Sequence, residues 1–254
     1  MELCYMCERP ASSREHVPPR CIFPEEKDMP GESFRNNLIT VPSCDIHNSA
    51  KSKDDEFLMI SLAGIIGNNS IGFRHKFSKV NRAIRRNSKI LLNEVFVGDK
   101  EFSLIEYEEN KFFTCIWGTP NHERLNLCFD RIVRGLYLHH SGHRFQGKMR
   151  IVLGYLAIKD ESKRNFHQFI KDKSEMELEG KEKFGFNADV FHYQISDTDQ
   201  FGLSMFRLCF YGGLNIYVSL IPENTTLPKS FAFELMNRGI KTVFRLGDKE
   251  YEVN

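Results

Sequence analysis

The chain has 254 residues, 41% of them hydrophobic and 27% charged, with a formal net charge of +1. That length suits one substantial core, or a small catalytic module joined to one ordinary domain. The balanced charge excludes a global field that would by itself demand a nucleic-acid partner, so any such binding rests on local basic patches.

Seven cysteines stand at positions 4, 7, 21, 44, 115, 128 and 209. An odd number without regular spacing argues against the disulfide framework of a secreted scaffold. The opening MELCYMCERP lacks the basic start and apolar stretch of a signal peptide. The longest apolar runs, Phe57–Ile66 and Leu214–Ile221, are too short or too interrupted to span a bilayer. A reducing cytoplasm is the expected compartment and no membrane partner is expected; there a Cys-x-x-Cys pair points to metal or redox chemistry.

In chain order, residues 1–56 are rich in Cys, Pro, Ser, Asn and charge, and show no apolar periodicity. Such a segment cannot build a conventional core, and a bound metal is the economical way to hold it. From Asp54 an apolar stretch predicts a helix that ends in a turn near Gly64–Gly67. Residues 75–92 read as a second helix, with Phe77, Val80, Ile84 and Leu91 on one face and Lys79, Arg82, Arg86 and Lys89 beside it. Runs at Phe102–Tyr107 and Lys111–Trp117 predict a hairpin. Glu123–His140 reads as a helix with Leu125, Cys128, Ile132 and Leu136 inward and Arg124, Arg131 and Arg134 outward. Residues 149–158 are a buried strand or a short helix, and 159–183 a charged helical or exposed segment. Strands are expected at 189–196, 203–211 and 214–221, with a Gly-Gly turn between the last two, and a final strand at 241–246. The best boundary falls between residues 57 and 75.

The chemistry concentrates in Cys4-x-x-Cys7 and Cys44-x-x-His47, with Glu15-His16 and Asn37 between them and Asn48 directly after. Two ligand pairs, each clamping from one short turn, fit a closed tetrahedral zinc site. One Cys-x-x-Cys alone would be ascribed to chance or redox work; the second pair favours zinc.

The order CYMC, REHVPP, NNLITVPSC, DIHNSAKS resembles the HNH endonuclease family, whose fold is the ββα-metal unit. The resemblance covers roughly residues 1–60. It implies DNA phosphodiester hydrolysis leaving a 5′ phosphate and a 3′ hydroxyl, with His16 as general base and Glu15 and Asn48 holding a catalytic Mg²⁺ or Mn²⁺. Asn37 would hold the loop and orient the base, and Pro18 and Pro19 would stiffen the turn behind it. Two departures stand out. The acidic residue is Glu rather than the commoner Asp, and His47 stands where the family usually has Cys. Cys21 could therefore complete the zinc site in place of His47, although the matching spacing favours His47.

Weaker signals have ordinary explanations. Lys51 and Lys53 could touch phosphate, but lysines after a loop are usually solvated. Asp54-Asp55-Glu56 is read first as a helix cap. The basic stripe of residues 75–92 contains no acid between Lys76 and Lys89, which tilts it towards phosphate contact. His139, His140 and His143 read as a surface or hydrogen-bonded cluster. Cys115, Cys128 and Cys209 read as core, as do the aromatics of 201–217, which could otherwise stack bases.

The expectation is an α+β protein: a zinc-stapled HNH module at 1–60, then an α/β domain with an antiparallel sheet at 61–254, serving target recognition, regulation or assembly. The expected partner is double-stranded DNA, modified DNA included, and a homodimer is compatible with this reading. Analogy extends it to bacterial restriction and antiphage effectors. The rival is a zinc-stabilised nucleic-acid-binding protein without catalysis. A third reading is an effector switched on by a small nucleotide bound in the second domain.

Overall fold

The computed structural model describes residues 2–49, 51–86, 90–156, 158, 160–225, 229–246 and 248–253. The chain divides into two compact units, Met1–Gly135 and Leu136–Asn254. Residues 1–60 thus lie inside a larger first unit. The fold is mixed α and β, and every strand pair is antiparallel. Among the described residues no helix is long and apolar enough to cross a membrane.

In the first unit, β1 (Ser13–His16) pairs with β2 (Thr40–Ser43), Ser13 opposite Ser43 and His16 opposite Thr40. Pro42 is tolerated in β2 because its missing N–H costs nothing on this short ribbon, while its carbonyl accepts from Tyr5 N–H at 2.9 Å. The chain turns directly from β2 into α1 (Asp45–Ser49), then α2 (Ser52–Ala63). Every residue from Phe57 to Ala63 is buried, so the second half of α2 is enclosed on all sides, while its charged first half is only partly covered.

Next come α3 (Ser70–His75), a π-helical segment at Lys76–Val80, α4 (Asn81–Arg86) and α5 (Ile90–Val95). Residues 70–86 are thus helical throughout, the π-helical segment included, and helix is found again at Ile90–Val95; of the basic helix expected over 75–92, residues 87–89, Lys89 among them, lie outside the described residues. Its cations also find acids: Lys79 meets Glu25 at 2.9 Å, Arg82 meets Asp28 at 2.8 Å, and the preceding Arg74 meets Glu32 at 3.3 Å. Those acids come from a loop about fifty residues upstream, where helical spacing cannot look for them.

The hairpin of β3 (Phe96–Glu108) and β4 (Lys111–Pro120) follows, then α6 (His122–Ser141), in which the boundary between the units falls. Asn121 caps α6, accepting from Arg124 N–H at 3.1 Å. Arg124 and Arg131 do not face water as the helical pattern suggested. Their guanidiniums converge on Asp54 in the first turn of α2, at 2.8 and 2.5 Å, and Arg124 also lies over the Phe57 ring, 4.3 Å from its centroid. Asp54 thus pins α6 to α2 rather than capping its own helix. Gly135 of α6 meets Val17: a Cβ there would come within 2.7 Å of Val17 Cγ1.

The second unit holds β5 (Gly147–Leu153), α7 (Glu161–Glu177), β6 (Phe191–Ile195), β7 (Ser204–Phe210), β8 (Leu214–Pro222), α8 (Lys229–Asn237), β9 (Thr242–Leu246) and β10 (Lys249–Val253). Four of these strands make one sheet in the order β5-β8-β7-β6. Residues 147–153 are thus a strand, the alternative that periodicity left open. Asp160 caps α7 through Lys163 N–H at 2.8 Å. Phe166, Phe169 and Ile170 of α7 then pack on Val152 and Tyr217 of the sheet, with Phe231 and Leu235 of α8. Neither α8 nor β10 was anticipated, and 241–246 is not the last strand: β9 pairs with β10 in a separate ribbon.

Candidate metal centre

The amino-terminal ligands sit on a tight loop. Leu3 bridges Pro10, Cys4 N–H donates to Arg9 carbonyl at 2.9 Å and Ala11 N–H to Glu2 carbonyl at 3.0 Å. Ser12 N–H donates to Ser43 carbonyl at 3.0 Å and ties the loop to the end of β2, where Cys44 waits. His47 lies one turn further along α1, so a three-residue step aims both side chains the same way.

Cys4, Cys7, Cys44 and His47 bring their ligand atoms within 4.8 Å of one another. His47 Nδ1 lies 3.4 Å from Cys4 Sγ, 3.6 Å from Cys7 Sγ and 3.3 Å from Cys44 Sγ, and the sulfurs of Cys7 and Cys44 are 3.9 Å apart. Tetrahedral zinc with ordinary bond lengths asks for about 3.5 Å between sulfur and nitrogen and about 3.8 Å between sulfurs. The four residues fit a metal ion such as zinc. The His47 backbone N–H, and then its ring and the neighbouring thiols, draw the Cys44 thiol well below its usual range, towards the thiolate that binds metal. Cys21 is not in the cluster: its thiol donates to Asp55 carbonyl at 3.2 Å and burial pushes it up to about 12.

Glu15 and His16 are neighbours on β1 and so point to opposite faces. Glu15 is 5% exposed. Its carboxylate accepts from Tyr5 hydroxyl at 3.1 Å and from Ser43 hydroxyl at 3.3 Å, and Lys51 completes the set with its ammonium. Lys51, itself 3% exposed, also lies 3.8 Å from Asp55. Asp55 is pushed up to about 6, by desolvation first and then by the charges of Glu15 and Asp54, against the pull of Lys51. The residue expected to face a hydrated cation thus holds a lysine instead.

His16 is partly exposed. Desolvation, then the charges of Arg20 and Arg35, hold its imidazole below the usual 6.5, with Glu15 opposing. Arg35 is fixed by Phe23 carbonyl at 3.0 Å and Glu25 at 3.2 Å. Arg20 is exposed and makes no ion pair among the described residues. Asn48 turns its amide NH₂ to Ser13 hydroxyl at 2.8 Å, on the strand face that Glu15 shares. Asn37 is exposed with φ of 53°, a left-handed turn that Asn accepts readily, just before β2. Its part is played by backbone shape.

Sequence reasoning did not find Tyr5, Ser43 or Lys51 around Glu15, nor the influence of the Arg20 and Arg35 charges on His16. A lysine four residues after the fourth ligand carried no signal that separated it from a solvated one. At the end of α6, His140 and His143 turn to different aromatic partners. His140 lies edge-on to Phe184 at 4.9 Å, and His143 stacks on Tyr137 at 5.3 Å. Among the described residues the Cys4–Cys7–Cys44–His47 group is the one set placed to hold a metal.

In comparisons with known proteins, no family model, no curated protein and no solved structure matched this chain.

Proposed function

We propose that the chain hydrolyses phosphodiester bonds of DNA through an HNH-type ββα unit, with His16 as general base. One observation carries this reading. A ribbon that runs directly into a helix at the third ligand of a Cys₃His cluster presents a partly exposed imidazole whose protonation is disfavoured by burial and by the charges of Arg20 and Arg35. The lowered pKa keeps that ring neutral near pH 7, able to take a proton from water. Arg20 and Arg35 would offset charge on the phosphate as the leaving oxygen departs. Bound zinc would supply the rigidity that sets β1 against α1. Glu15 and Asn48 as arranged do not offer a hard cation two free oxygens, because an ammonium sits on the Glu15 carboxylate.

That same lysine favours a second reading, a zinc-stabilised nucleic-acid-binding protein without catalysis. A supercoiled-plasmid assay across pH and with Mg²⁺ or Mn²⁺ separates the two. The wild type is expected to nick, with the acid limb of its pH profile centred below 6.5. His16→Ala should abolish nicking, and Arg35→Ala should move the limb upward by removing a repelling charge. Binding without nicking by the wild type under every divalent ion tried overturns the hydrolytic reading in favour of the second.

A further inference from the structure

We propose that two copies of this chain meet edge to edge through β3, about a two-fold axis at Ser103. This holds whether or not the chain is a nuclease. β3 and β4 form a two-stranded sheet, so among the described residues the outer edge of β3 pairs with nothing. An isolated ribbon is marginal in water, and an open edge is a template for another strand.

Which strand fits is written in β3 itself. Its register with β4 is irregular between Val97 and Lys100 and again between Glu106 and Glu108, and regular for the residues from Lys100 to Glu106. Within that segment Lys100, Phe102, Leu104 and Glu106 share a face. Phe102 is 68% exposed and Leu104 is 73% exposed, and Ile116 stands opposite Phe102 on β4. Antiparallel pairing with a second copy about Ser103 sets Lys100 against the other copy's Glu106 and Phe102 against its Leu104, each match occurring twice. Moving the axis by one residue to Phe102 sets Lys100 against Leu104, and moving it to Leu104 sets Phe102 against Glu106. A parallel in-register pair would oppose like charges. The charge order and the apolar order are therefore complementary in one arrangement.

Neither charge is spent on an ion pair among the described residues. Lys100 donates to Asn93 Oδ1 at 2.5 Å and Glu106 accepts from Asn110 N–H at 2.9 Å, both exposed local contacts that solvent or a partner can replace. In the pair, two Phe102 and two Leu104 side chains would cover one another at the centre, flanked by Ile116 from each copy. Four continuous strands would replace two isolated ribbons.

Sedimentation of the full chain at graded concentration tests this. The wild type is expected to dimerise. Lys100→Glu and Glu106→Lys should each weaken dimerisation about tenfold or more, since symmetry counts each change twice. The double variant K100E/E106K should restore it, because the pairs are then exchanged rather than broken. Glu106 is exposed and Lys100 partly so, and circular dichroism should report unchanged folding. A monomeric wild type, a dimer indifferent to both single changes, or a double variant that stays monomeric each overturns the proposal; the first leaves the edge to some other chain.

Discussion

Between Cys4 and His47 order draws on ligands and buried ions beside a small apolar set of Val17, Ile22, Phe23, Met29 and Val41: four donor atoms around one point, and a carboxylate held by a tyrosine, a serine and a lysine. In the sheet of the second unit it is carried by side-chain volume. Phe191, Tyr193, Phe206, Phe210, Tyr217 and their aliphatic neighbours are nearly inaccessible, and rings of adjacent strands meet, Phe191 tilted against Phe210 at 4.8 Å and Tyr193 stacked on Phe206 at 5.7 Å. The two regions are held by different mixtures of forces. A ligand-built region fails when one point fails, whereas an apolar core loses stability in increments.

The largest expected effect follows from removing the ion. Binding of a structural zinc contributes on the order of 10–16 kcal/mol to folding in small metal-held units. Chelation, or Cys44→Ser, should therefore strip hydrogen-exchange protection from β1, β2 and α1 and leave that of β5–β8 in place. Protection of β1 that survives chelation would erase the contrast. The next effect lies in the other region. Phe206→Ala removes a fully buried ring and should cost about 3–5 kcal/mol, seen as a lower Tm with metal content unchanged. Lost metal in that variant would mean that the two regions do not fail separately. The smallest is expected at Lys51. Lys51→Met leaves the Glu15 carboxylate buried without its cation, a loss of about 3 kcal/mol, at the low end because Tyr5 and Ser43 still donate. Glu15→Gln added to it should recover most of the loss in a denaturant titration. A neutral Lys51→Met would place the stability of this corner in the ligands alone.

The metal ligands were legible because each pair is local: a three-residue step fixes both members from one turn, and nothing distant alters it. The helix at α6, the hairpin and the strands β6, β7 and β8 were legible for the same reason, since period and turn chemistry are short-range, whereas period alone left β5 and α7 open. What the sequence concealed was pairing across distance. Arg124 and Arg131 look solvated on a helical wheel until Asp54, some seventy residues earlier, arrives beneath them. The stripe around Lys79 and Arg82 looks free until Glu25 and Asp28 answer it. Glu15 reads as an open ligand until Lys51 folds onto it. In the expected site, residue positions were readable while the direction in which each carboxylate was used was not. Cys115 shows the complement: its apolar neighbours suggested core, yet a two-stranded ribbon has no second layer to bury it, and it stays half-buried.

Where α6 passes behind the strand that bears the proposed base, it carries bare backbone at Gly135, and Val17 fills the dent. The residue next to the imidazole therefore rests on a mould whose depth is set by a missing methyl group. Any side chain larger than hydrogen at position 135 would have to displace Val17, the residue that follows His16 in the chain.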